Sequence, residues 1–249
     1  MSLLLRFNQL RNSMLSSCPA RLLIPYAGLS PGKLLDPKSY ERRLFSTSAQ
    51  QTKITGNVQT GNRITEFAVR DLCGGKNSTF ETLLNPERDV PGYLATVNNI
   101  NTDLVCRPDV PRFSDVLPLL LAFVRSRQTP GKPVIWVAHN VKRFDGPFLA
   151  QEFDRCSAQM PEDWLFVDTL CLARKLPKLS ASNDKKHLLN LESLCKRYEI
   201  SVEGPSHRAM QDVMALCHVF QKMSIDLQLT HEGLMNEAIN ASYFSKYLN

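Results

Sequence analysis

Apolar residues along this chain fall into two kinds of period. Ile64 to Leu72 alternates as a strand with Phe67 and Val69 on one face, Cys73-Gly-Gly-Lys-Asn77 reads as a hairpin turn, and Thr79 to Leu84 returns as the partner strand. After a loop with Pro91, Gly92, Pro108 and Pro111, helical spacing sets in at Phe113, Val116, Leu117, Leu120, Leu121 and Val124, with Pro118 as a candidate kink. Val134 to Ala138 is a compact apolar run between Pro133 and the polar pair His139-Asn140, which predicts a short buried strand. A helix follows from Asp145 to about Cys156. Trp164 to Val167 predicts a second buried strand ending at Asp168, and Thr169 to Leu176 a helix. Leu188 to Tyr198 and a long helix burying Ala209, Val213, Leu216, Phe220, Met223 and Leu227 complete the series, with Gly204-Pro205 as the break between them and Ser206 as the expected N-cap.

Two strands followed by alternating helices and strands predict one α/β domain with a mixed sheet flanked by helices. Its expected limits are residues 64–228. Residues 46–63 show no strong period and read as an irregular linker, and 229–249 as a weakly helical, Asn- and Ser-rich tail. In such sheets ligands bind beyond the carboxyl ends of the strands, which is where His139, Asn140 and Asp145 would stand.

Composition changes the picture at the N-terminus. The chain has 249 residues, 43% hydrophobic and 22% charged, as in an ordinary globular protein. Its net charge is +6, but residues 1–45 hold seven bases against two acids, and so five of those six charges. The first 35 residues lack acids and are rich in Ser, Leu and Arg. This predicts an organellar transit peptide over residues 1–45, with Arg43 shortly before the cut, and a mitochondrial or chloroplast destination. The longest apolar run, near Val116 to Val124, is too short to cross a bilayer, so no membrane role is expected. The seven cysteines contain no Cys-x-x-Cys pair and fit small buried hydrophobes better than a zinc or disulfide framework.

The candidate chemistry lies in Asp145, His207 and Asp212. Phosphodiester hydrolysis is commonly served by two divalent ions about 4 Å apart, and Mg²⁺ takes oxygen ligands, so carboxylates must converge from separate elements. Asp145 after the central strand and Asp212 in the last long helix suit that. His207, with a pKa near neutral, suits a general base on water. Taken singly, Asp145 could be a helix-start charge favourable to the dipole, and His207 an exposed helix-start residue. Asp168 reads as a strand-end residue that holds the fold. Lys175, Lys178, Lys185 and Lys186 could follow a phosphate backbone or form a solvated face.

Ala138-His-Asn140 with Phe144-Asp145, Val167-Asp-Thr-Leu170 with Ala173-Arg174, and His207 five residues before Asp212 resemble the DEDDh 3′–5′ exonucleases, and among them the plant organellar enzymes that degrade organelle DNA. The resemblance covers about Ile64 to Leu227. It implies an RNase H-like fold and phosphodiester hydrolysis of nucleic acid, DNA favoured, with Mg²⁺ or Mn²⁺ in a two-metal site. Asp145 and Asp212 are then the metal ligands, His207, Asp145 and Asp212 the catalytic residues, and Asn140 and His139 the substrate contacts. Relatives are often dimers, which leaves a homodimer open. One part of the family pattern is missing: a first strand just upstream of Ile64 should carry Asp-x-Glu, yet Lys53 to Arg63 holds no carboxylate, and no Asp in the chain is followed two residues later by Glu. The first strand is therefore expected to be missing or replaced. Glu66 is the nearest substitute carboxylate, and a catalytically inactive nucleic-acid-binding remnant or splice form is the alternative reading.

Overall fold

In the computed structural model, residues 43–51, 63–92, 98–177, 189–201 and 208–248 are described. Six strands form one sheet in the order β3-β2-β1-β4-β5-β6. They are β1 Arg43–Gln51, β2 Ile64–Asp71, β3 Thr79–Leu83, β4 Val134–Ala138, β5 Trp164–Asp168 and β6 Ala238–Asn240. Strands β1, β4 and β5 run parallel, while β2, β3 and β6 run antiparallel to their neighbours. The helices are α1 Thr102–Val105, α2 Phe113–Arg127, α3 Asp145–Arg155, α4 Thr169–Ala173, α5 Leu191–Arg197, α6 Ala209–Asp226 and α7 His231–Glu237, followed by a 3₁₀ helix at Ala241–Tyr247.

Strand β4 is apolar throughout because it lies in the middle of the sheet, with every residue buried. Its two faces feed separate cores. Trp136 and Ala138 join Phe67, Val69, Trp164 and Phe166 beneath α2, α3 and the 3₁₀ helix. Ile135 and Val137 join Ala68 and Val167 beneath helices α4 to α7. The Trp136 and Trp164 rings meet at 4.5 Å between centroids, which ties β4 to β5 on the first face. Helix α2 runs through Pro118 as one element. The entry into β2 is fixed by Glu152 of α3, which accepts from the Ile64 amide and from Arg63 Nε, both at 3.1 Å.

Three expectations are corrected here. The strand expected to be missing or replaced is present in the sheet. Arg43–Gln51 lies between β2 and β4, with Ser46 beside Val137 and Gln50 beside Glu66. It crosses the boundary drawn at residue 45 and takes up the start of the supposed linker. The strand forms because β2 and β4 each offer an open edge, and an unpaired central edge would leave both rows of backbone groups unsatisfied. The segment 229–249, read as a weakly helical tail, is helical at His231–Glu237 and Ala241–Tyr247 but also belongs to the domain: β6 pairs with β5, and Phe244 is fully buried in the first core. Finally, α6 begins at Ala209 with Arg208 at the N-cap position, so its expected cap Ser206, like Gly204, Pro205 and His207, lies outside the described residues. Residues 1–42, the body of the expected transit peptide, also lie outside them.

Among the described residues no helix is long and apolar enough to cross a membrane. Six of the seven cysteines are seen, all free. Cys217 is buried as expected, but Cys106 is exposed and the others are half-buried.

Candidate active site

The parallel strands β1, β4 and β5 all end on one side of the sheet, and that edge carries His139, Asn140 and Asp145, while His207 lies outside the described residues. Strand β4 ends at Ala138, paired with Asp168 at the end of β5. The chain then turns through His139 and Asn140, and Asn140 adopts a left-handed backbone with φ of 62°. Asn tolerates this region better than most residues.

Asp168 holds that turn together. Its Oδ1 accepts from the Asn140 amide at 2.8 Å and from the Leu170 amide at 3.0 Å, and Oδ2 from the Lys142 amide at 3.4 Å. The carboxylate thereby caps α4 and fixes the route from β4 to α3. This agrees with the sequence reading of Asp168 as a residue that holds the fold.

His139 is tied into the same corner. Its Nδ1 lies 3.0 Å from the Thr169 hydroxyl, and its ring also makes a hydrogen bond to the backbone of Leu189. Burial pushes its pKa below the usual value, against the charge of Asp168, which favours the protonated ring.

Asp145 is the first residue of α3 and Asp212 lies in the first turn of α6, and both are half-buried. The two helices belong to opposite layers, and both touch β1. Burial, and after it the charge of Asp212, raises the Cys195 thiol pKa, which sets Asp212 toward α5. Next to Asp145, Gly146 lets the 3₁₀ helix approach: a Cβ there would stand 2.1 Å from Cε1 of Phe244.

Glu66, the suggested substitute carboxylate, is otherwise engaged. Its Oε1 accepts from Arg208 Nε at 2.9 Å and Nη2 at 2.6 Å, and its Oε2 from the Ala209 amide at 2.8 Å. No local pattern signals this partnership, which joins residues 142 and 143 positions apart. Lys175 is also engaged, paired with Glu237 at 2.5 Å, and Lys178, Lys185 and Lys186 lie outside the described residues.

A two-ion metal centre does not fit this donor set. Between the two helices that carry Asp145 and Asp212 runs β1, whose sequence Arg-Leu-Phe-Ser-Thr-Ser-Ala-Gln-Gln contains no carboxylate. Among the described residues no three His, Cys, Asp or Glu side chains gather as a metal site.

Comparison with known proteins fits the fold. The chain is 43% identical over 203 residues to the Arabidopsis thaliana protein named exonuclease DPD1, chloroplastic/mitochondrial, covering 82% of this chain and 64% of that one, so it spans less than two thirds of the relative's length. It is 29% identical over 178 residues to the DNA polymerase III subunit epsilon of Treponema pallidum, covering 71% and 75% of the two chains. Among solved structures, the nuclease domain of 3′hExo, a DEDDh family member bound to rAMP, superposes with a TM-score of 0.59 at 16% identity over 81% of this chain and 97% of that one. Cell-death related nuclease 4 superposes with a TM-score of 0.58 at 14% identity, over 74% and 64%. At such identities the two structures establish the RNase H-like fold alone. The family model described as Exonuclease, of RNase T type, matches residues 52–220, well over half of the chain, and the chain therefore belongs to this exonuclease family.

Proposed function

We propose that this chain is a 3′–5′ exonuclease of the organellar kind, acting on nucleic acid with DNA favoured, and that its turnover is weak. The observation that carries the reading is the strand-end corner: β4, the Asn140 turn and Asp145 on α3, with Asp212 on a helix that, like α3, touches β1. The family match and the likeness to a plant chloroplastic/mitochondrial exonuclease support it. The likeness to that plant protein also supports a mitochondrial or chloroplast location, with a transit peptide that ends before β1.

In this reading His207 takes the proton of the attacking water, an O–P bond forms, and the P–O3′ bond breaks, the 3′-oxygen of the shortened strand taking a proton from solvent as the terminal nucleotide leaves with a 5′-phosphate. Asn140 and His139 are the substrate contacts of this reading, with the His139 ring already engaged by Thr169 and the Leu189 backbone. Mg²⁺ or Mn²⁺ would be held by Asp145 and Asp212. When bound, such ions neutralise charge on the phosphate, but two carboxylates fall short of a two-ion site. No second copy of the chain is assigned a role.

That shortfall favours a second reading, a catalytically inactive member that binds nucleic acid. The deciding experiment is Mg²⁺-dependent release of nucleotides from 3′-labelled single-stranded DNA by the full chain, beside Asp212→Asn. Slow release that disappears in the variant supports the exonuclease. Release that persists in Asp212→Asn removes Asp212 from the site. DNA binding without release, by a folded chain, selects the binding reading.

A further inference from the structure

We infer that Glu66 is a positioning residue: it sets the place of the first turn of α6, and through it the place of Asp212. As a role in the reaction, this rests on the exonuclease reading above. As a statement about the helix start, it stands alone.

Four helices of this fold are capped locally. Asn101, Asp168, Asn190 and Thr230 each accept from an amide in the first turn of the helix they precede. Helix α6 is different, because the residue at its N-cap position, Arg208, makes no side-chain cap bond. The cap comes from another element. Glu66 on β2 reaches the Ala209 amide with one oxygen and holds the Arg208 guanidinium with the other. A carboxylate at a helix N-terminus complements both the orphan amides and the dipole. The Glu66 hydrogen bond also raises the Arg208 pKa, so the guanidinium stays charged.

The geometry also fixes which end of the sheet is involved. Glu66 pairs with Gln50 near the end of β1 and with Leu83 of β3, so it stands on the strand-end edge where the site lies. Arg208 and Ala209 directly follow His207, and Asp212 donates its amide back to the Arg208 carbonyl at 3.0 Å. A displacement at Arg208 and Ala209 is therefore passed to Asp212 within one turn. Glu66 is buried, with both oxygens committed to α6, so its carboxylate serves the helix and not a metal ion.

The test is amide hydrogen exchange, with nucleotide release and DNA affinity measured in parallel, on Glu66→Gln in the full chain. Exchange at Ala209 and Asp212 is expected to rise about tenfold or more, while Val219 and Phe220 farther along α6 stay unchanged. If the parent chain turns over, kcat falls with KM for the oligonucleotide unchanged. Should the Gln variant fail to fold, Arg208→Gln, which removes half of the clamp at a partly exposed side chain, is expected to give the same local pattern more weakly. Unchanged exchange at Ala209 and Asp212 in a folded variant overturns the inference, as does exchange that rises evenly along α6. A parent chain without activity refutes the exonuclease reading only, because the exchange result still decides the role of Glu66.

Discussion

The Asn140 amide donates to Asp168 Oδ1 at 2.8 Å across the ends of β4 and β5, while Asn140 itself sits at a φ of 62°. One bond thus holds the turn that leads from the central strand to Asp145.

Removing that latch should cost much of the fold's stability. Asp168→Ala leaves the Asn140, Lys142 and Leu170 amides without their carboxylate, and a loss of about 3 kcal/mol is expected in urea denaturation. Asn140→Val should also destabilise, because a β-branched residue disfavours the left-handed region, whereas Asn140→Gly should be close to neutral.

Restoring the absent carboxylates should strengthen hydrolysis. Phe45-Ser-Thr-Ser48 has the spacing of Phe-Asp-x-Glu, and Ser46 stands beside Val137, one residue before the end of β4. Ser46→Asp combined with Ser48→Glu is expected to raise Mg²⁺-dependent release of nucleotides well above the parent rate. A double variant that binds Mg²⁺ no better than the parent in calorimetry would show that β1 does not deliver these positions to the site.

Gly146 is expected to be intolerant of a side chain. A Cβ would overlap the Phe244 ring, so Gly146→Ala must move either the 3₁₀ helix or the first turn of α3 that carries Asp145. A cost of about 1–3 kcal/mol should appear in thermal melts. Phe244→Leu, which shortens the obstructing side chain, should recover part of it.

Acid should destabilise the fold through His139. Burial places its folded pKa below the usual 6.5, so between that folded value and 6.5 the unfolded chain binds more protons. The stabilising effect is complete above about 6.5 and is lost as pH falls through the folded value. His218, lowered first by burial and then by Arg70 and Lys222, acts with the same sign. The thermal midpoint should therefore drop between pH 7 and pH 5, and His139→Gln should make that slope shallower.

The sequence by itself determined the elements whose period follows from burial on one or two faces. The β2–β3 hairpin, the strand Val134–Ala138, the strand closing at Asp168 and the long helices were all legible, because alternation and helical spacing are local. The order of those elements, the motif around Asn140 and Asp145, and the lack of an acid between Glu41 and Glu66 were legible too. Tertiary structure alone decided what carries no local signature. Arg43–Gln51 has a polar pattern and becomes a central strand only because two neighbours leave edges to be paired. The segment after Leu227 joins the sheet because Gly146 leaves room for Phe244 beside α3. Glu66, the one acid near the missing motif, is claimed by a helix start 142 residues away, since a buried carboxylate needs the strongest partners within reach.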